Sequence, residues 1–443
     1  MQSLVNGIKE LTTVRVSGKV NKIVGLVVEG HCPQSSVGTL CELVPLDGGQ
    51  VVPAEVVGFR DSRALLMPLG ELRGLGPGSL IRLCQAKATV KVGPGLLGRV
   101  IDAMEKPLDG GPLPRPAAAM PLYALPPGPM QREKISQPLD LGIRAINGLL
   151  TCGLGQRLGV MAGSGVGKSV LLGMIAKHTR ADINVIALIG ERGREVREFI
   201  ERDLGSEGLK RSVVLAATSD QSPLLRMRGA FVATAIAEYF CAQGQNVLLM
   251  MDSVTRFAMA MREVGLAIGE PPTTKGYTPS VFATLPKLLE RAGNYKGQGS
   301  ITGLYTVLVE GDDMNEPVAD AVRSILDGHL TLSRDLAARN HYPAIDVLNS
   351  TSRAMRGIVS RDHLDLSGRV REILAVYRQS EDLINIGAYS AGSNPKIDQA
   401  VARIEAVNGF LRQEMDEPGD LAGTLAHLQE LLADRRPQKN NGK

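Results

Sequence analysis

Tryptophan is absent from the 443 residues, and aromatic residues make up only 3% of them. The interior must therefore be built from Val, Leu, Ile, Ala and Met. Within the N-terminal segment 14–92 Phe59 is the lone Phe or Trp, which favours a structural or oligomer-rim role over a stacking surface for single-stranded nucleic acid. Charge of one sign is lacking as well. Fifty basic residues against 46 acidic ones leave +4, too little for a nucleic-acid footprint. No run of about 18 apolar residues occurs, so no membrane-spanning helix is expected and any membrane contact is peripheral. The stretch 1–13 has no long apolar core, so no signal peptide is expected. Cys32, Cys41, Cys84, Cys152 and Cys241 are odd in number and lack metal-ligand spacing. They read as buried thiols of a reducing cytoplasm.

Apolar residues make up 44% of the chain, ample for cores, and the length predicts two to four domains. Residues 1–13 carry Leu4, Val5, Ile8 and Leu11 at helical spacing, which fits a docking helix or a frayed end. Residues 14–92 hold several short alternating strands at regular spacing, the pattern of a small closed β-barrel. Gly48-Gly49 marks a hairpin turn there. Residues 93–138 contain ten prolines and read as a linker without a core of its own, with a strand or turn at Leu96–Asp102. From Leu139 to about 360, apolar strands alternate with helical patterns, which predicts a parallel α/β sheet covered on both faces. Residues 361–443 carry helical stripes only and predict a helical domain, ending in a basic, polar tail.

Ala162-Gly163-Ser164-Gly165-Val166-Gly167-Lys168-Ser169 lies between the apolar run Arg157–Met161 and the helical stretch from Val170. Strand, Gly-rich turn, Lys-Ser and helix form the context of a phosphate-binding loop. Its glycines aim backbone N–H groups at a polyphosphate, and the helix end adds further donors. Lys168 would reach the β- and γ-phosphates, and Ser169 would ligate Mg²⁺. Ala162 stands where the pattern has its first Gly, so its φ is expected to be negative.

About 80 residues beyond the loop, Val247–Met251 ends in Asp252, placed to join a Mg²⁺ shell. Gly190-Glu191-Arg192 follows the strand Ile183–Ile189. Glu191 there fits a water-orienting carboxylate and equally a charged helix N-terminus. Arg353 fits an arginine finger or a surface ion pair, and Tyr342 precedes its hydroxyl-rich segment.

Together these motifs resemble the catalytic subunits of the rotary ATPase family. The matching pieces are the Ala-x4-Gly-Lys-Ser loop, Gly190-Glu191-Arg192, Asp252 with Ser253-Val254-Thr255-Arg256, and Pro343-Ala344-Ile345-Asp346 through Ser350-Thr351-Ser352. Within it, Ser222-Pro223-Leu224-Leu225-Arg226-Met227, Ala267-Ile268-Gly269-Glu270-Pro271-Pro272 and Glu310-Gly311-Asp312-Asp313 are similar to the flagellar type III export ATPases. The resemblance spans roughly residues 14 to 410. It implies an N-terminal six-stranded barrel, a RecA-like P-loop core, a C-terminal helical domain and a homohexameric ring. By position it implies that Glu191 is the catalytic glutamate and that Arg192 lies beside the γ-phosphate. It implies further that Asp252 belongs to the Mg²⁺ shell, that Tyr342 packs on adenine, and that Arg353 serves the neighbouring subunit. Gly163 to Val170 would then line bound ATP.

The implied activity is ATP hydrolysis coupled to export of flagellar proteins at the cytoplasmic base of the export apparatus. The implied partners are a central stalk-like protein, a regulator, export-gate membrane proteins, and substrates with their chaperones. A virulence-type injectisome ATPase is the nearest alternative. Next come a subunit of an ion-translocating rotary enzyme and an RNA-translocating hexameric helicase. The stretch before the barrel is short for regulator or lipid docking.

Overall fold

The computed structural model describes residues 17–85, 88–309, 311 and 313–433. The expected N-terminal docking helix and the basic tail lie outside the described residues. So do Glu310 and Asp312 of one family-like stretch.

Six strands close the barrel: β1 (Ser17–Val24), β2 (Val27–His31), β3 (Leu40–Val44), β4 (Val52–Arg60), β5 (Arg63–Pro68) and β6 (Leu80–Gln85), in the order β1-β2-β5-β4-β3-β6. Alternate residues point inward, and Val20, Val28, Cys41, Leu43, Val56, Leu66 and Ile81 fill the interior. The continuous strand expected from Ile23 to Glu29 is instead broken by a turn at Gly25, whose φ of 56° suits glycine.

The Pro-rich stretch 93–138 differs from a coreless linker. β7 (Thr89–Val92) pairs with β9 (Ala118–Pro121), and between them β8 (Arg99–Ile101) joins the edge of the central sheet beside Ser212–Ala217. Val90, Leu96, Ile101 and Leu122 are fully buried in the central core. The strand or turn expected at Leu96–Asp102 is the strand β8. The local bonds of Val100 to Leu108 and Asp109 steady it, and its distant partner, the strand Ser212–Ala217, gives it its place in the sheet.

The central sheet continues with β10 (Arg157–Ala162), β11 (Ile183–Ile189), β12 (Ser212–Ala217), β13 (Asn246–Asp252), β14 (Gly293–Asn294), β15 (Ser300–Leu308), β16 (Gly328–Leu332) and β17 (Ile345–Ser352). The order is β17-β16-β10-β15-β13-β11-β12-β8, parallel except that β17 runs against β16 and β14 runs against β15. Every residue of β11 and β12 is buried, as helices on both faces require. Three long helices follow: Arg361–Asn385, Pro395–Leu411 and Leu421–Leu432. Their stripe residues Val370, Val407, Phe410 and Leu428 share a core with the P-loop side of the sheet. The helical domain is therefore packed onto the core. Among the described residues, no helix is long and apolar enough to cross a membrane.

One buried cluster fastens barrel to core. Arg228, on the helix Pro223–Ala242, donates from Nη1 to Glu55 of β4 at 3.4 Å and from Nε to the Ala103 carbonyl at 3.1 Å. The Tyr123 hydroxyl donates to the other Glu55 oxygen at 2.6 Å. Burial pushes the Glu55 carboxyl up, against the pull of Tyr123 and Arg228. Arg228→Ala is expected to cost about 3–5 kcal/mol in urea denaturation, because it strands a buried charge. Adding Glu55→Gln should recover part of that loss. An unchanged midpoint in the single variant would show that the cluster carries no stability.

Candidate active site

The phosphate-binding loop leaves β10 at Ala162, which is the last residue of the strand and has ordinary strand geometry. Its negative φ explains why Gly is dispensable there. Gly165 and Gly167 turn the chain at φ of 79° and 87°. The helix Lys168–His178 starts at once, with Gly167 as N-cap and no capping side chain. Its first N–H groups and the positive dipole end therefore face the loop. Ser169 is exposed in the first turn.

β11 and β13 are neighbours, with Leu188 opposite Asp252, so both carry groups to the same sheet end as the loop. Gly190, at φ 72°, makes the turn that presents Glu191. A Cβ there would meet Arg256 Cβ at 2.8 Å. Lys168 Nζ lies 3.2 Å from Glu191 Oε1 and is hydrogen-bonded to Asp252 Oδ1. Thr306 of β15 donates to that same Asp252 oxygen at 2.6 Å. The Asp252 side chain is only 3% exposed. Burial pushes Glu191 up to about 7; the Lys168 ammonium opposes this and the Asp252 charge adds to it. Burial works against the Lys168 ammonium, but the two carboxylates outweigh it and hold its pKa above the ordinary value.

On the other side of the loop, the half-exposed Tyr342 ring leans over Gly167, 3.3 Å from where a Cβ would stand. A cavity of about 860 Å³ opens there, lined by Gly165, Val170, Met174, Tyr342, Gln413 and Met415. It offers a flat ring and the apolar side chains Val170, Leu171 and Met174 beside a phosphate cradle, with Arg339, Arg412 and Glu414 on its outer side.

Two expected residues stand outside this cluster. The Arg192 side chain is 78% exposed and pairs with Glu195 at 3.7 Å. Arg353 is exposed at the other end of the sheet. Its N–H donates to Asp327 O at 3.0 Å, and Asp327 is bound to Arg157 at the start of β10. The loop follows the end of β10, about five residues of strand or roughly 17 Å away. Arg353 cannot reach its own subunit's loop.

Thr306 and the segment 412–415 were not anticipated. A buried Thr within the apolar run Ile301–Leu308, on the strand between β10 and β13, was the available signal for Thr306. Segment 412–415 follows a helical stripe and carries no signal.

Residues 142–352 match the ATP synthase alpha/beta family, nucleotide-binding domain. Residues 359–430 match the T3SS EscN ATPase C-terminal domain. A flagellum-specific ATP synthase of Bacillus subtilis is 55% identical, covering 97% of this chain and 98% of its own. A type 3 secretion system ATPase of Xanthomonas euvesicatoria is 51% identical, over 96% and 97%. The structure of the assembled ATPase EscN from the type III secretion system of enteropathogenic E. coli superposes with a TM-score of 0.88 at 45% identity, covering 94% of this chain and 100% of that one. The chain is an ATPase of the ATP synthase α/β family and belongs to its type III secretion and flagellum-specific branch.

Proposed function

We propose that this ATPase hydrolyses Mg·ATP as a homohexamer and couples hydrolysis to export of flagellar proteins through a type III apparatus. The observation that carries the reading is the Lys168 ammonium held between Glu191 and Asp252 at the mouth of the P-loop.

Ser169, Asp252 and Thr306 present oxygen donors, the set that magnesium prefers, and magnesium needs few protein ligands when phosphates supply the rest. Ser169 and Asp252 would hold the ion, Asp252 oriented by Thr306. Bound there, Mg²⁺ supplies charge neutralisation at the phosphate oxygens. Lys168 and the N–H groups from Gly163 to Val170 hold the phosphates. Glu191 orients the attacking water and takes its proton on a carboxylate oxygen. Tyr342 stacks on adenine. Arg192, exposed beside Glu191, reaches the γ-phosphate, and Arg353 acts on the next subunit's site.

Glu191 works as a base only when ionised. With its pKa near 7, kcat/KM for ATP should rise as pH climbs through about 7 and level off above, since kcat/KM reports free-enzyme ionisations. For stability the sign is opposite. A carboxyl raised from 4.5 to about 7 binds its proton more tightly when folded, so its contribution falls as pH rises across that window. A kcat/KM profile flat from pH 5.5 to 8.5 would remove Glu191 from the role.

The export system is read from the flagellar wording of the motifs. Relatives of both kinds, and the fit to EscN, also support an injectisome reading. Deleting the gene separates the two: the flagellar reading predicts lost motility, and the injectisome reading predicts intact motility with lost effector secretion. A related structure holds EscN in complex with its central stalk EscO. A stalk-like protein is accordingly proposed as a partner here, together with a regulator, export-gate proteins, substrates and chaperones. The proposed location is the cytoplasmic face of the export apparatus.

A further inference from the structure

The outer wall of the nucleotide cavity is the segment 410–417. His178 and Lys177 touch it at Met415 and Asp416, Gln413 donates to the Gly142 carbonyl, and Arg144 holds it at four points. Arg144 opens the helix Arg144–Leu149, its side chain 12% exposed. Its Nε donates to the Phe410 carbonyl at 2.9 Å, and Nη2 donates to the Arg412 carbonyl. Nη1 pairs with Glu417, and the backbone N–H donates to Gln413 Oε1 at 2.8 Å. Phe410 and Arg412 stand at the C-terminal end of the helix Pro395–Leu411. Orphan carbonyls and a negative dipole end collect there and favour a cation. A planar guanidinium can serve two carbonyls and a carboxylate at once, which an ammonium does poorly. The approach is close: a Cβ at Gly419 would lie 2.9 Å from Arg144 Cγ. Within the held segment, the Gln413 N–H donates to the Tyr342 carbonyl at 2.9 Å. A continuous path therefore runs from Arg144 through the segment to the ring above Gly167.

We propose that Arg144 is a positioning residue for the base side of the nucleotide. It clamps the segment 410–417 against Tyr342 and so sets affinity for the adenosine part, leaving the phosphate end to the P-loop. This rests on reading the Tyr342 cavity as the adenine side. Binding energy lost there raises KM, because base contacts are alike in ground and transition states.

The test measures ATP hydrolysis and competitive inhibition by inorganic tripolyphosphate in wild type, Arg144→Ala, Arg144→Lys and Glu417→Gln. Arg144→Ala is expected to raise KM about tenfold, with kcat falling far less and tripolyphosphate inhibition staying within about twofold. Arg144→Lys should fall between wild type and Ala, and Glu417→Gln should show a smaller rise. An unchanged KM, a kcat falling in step with it, or inhibition weakened equally would overturn the proposal. Should Arg144→Ala fail to fold, Arg144→Lys and Glu417→Gln carry the same comparison. Wild type binding tripolyphosphate as tightly as ATP would instead sink the adenine reading, and this inference with it.

Discussion

Lys168→Ala is expected to abolish ATP hydrolysis, with a loss of at least about 10³-fold, since a single preorganised group facing developing charge is already worth about 10²–10³. Two effects add. The phosphates lose the cation that faces them. The buried Asp252 and Glu191 lose the ammonium that lies between them. The second effect predicts a stability change as well. Breaking a buried pair leaves an uncompensated charge worth about 3–5 kcal/mol, less here because the site opens to solvent. The destabilisation should be smaller at pH 6 than at pH 8, because protonating Glu191 removes one of the two facing charges. Turnover by phosphate release and thermal melts at both pH values check both parts. Near-normal turnover would sink the assignment of the site.

Arg353→Ala should lower turnover by about 10³–10⁵, the range for an arginine finger, while ATP binding changes little. The antiparallel course of β17 makes this prediction specific. Arg353 lies at the far end of the sheet from its own P-loop, so its effect must act on another subunit. Mixing Arg353→Ala subunits with Glu191→Gln subunits should restore part of the activity, because some interfaces regain both groups. Confirmed mixed rings with no recovery would place the catalytic arginine elsewhere. ATPase rate should also rise cooperatively with protein concentration.

The P-loop, Asp252 and Glu191 were legible because each sits at the end of a continuous apolar strand. The strand-end rule needs only local periodicity. The barrel was legible for the same reason: alternation along six short strands declares an inner and an outer face. What stayed hidden depends on partners far away in the chain. A strand or turn at Leu96–Asp102 was expected, but the place of β8 at the edge of the central sheet comes from Ser212–Ala217. Thr306 looks like one more residue of a buried strand until β15 is set beside β13. Arg353 was visible as a residue, but its distance from its own site follows only from the reversed register of β17. The wall at 412–415 is held by Arg144, Gly142 and His178, all more than 230 residues earlier.

That reversed strand has a mechanical meaning. Tyr342, just before β17, overhangs Gly167 of its own P-loop, and Arg353, just after it, stands at the opposite end of the sheet. In a ring, one rigid strand of eight residues would be a rod with a handle in each of two adjacent sites. On the proposed roles, that one strand joins the base side of one site to the arginine offered to the next.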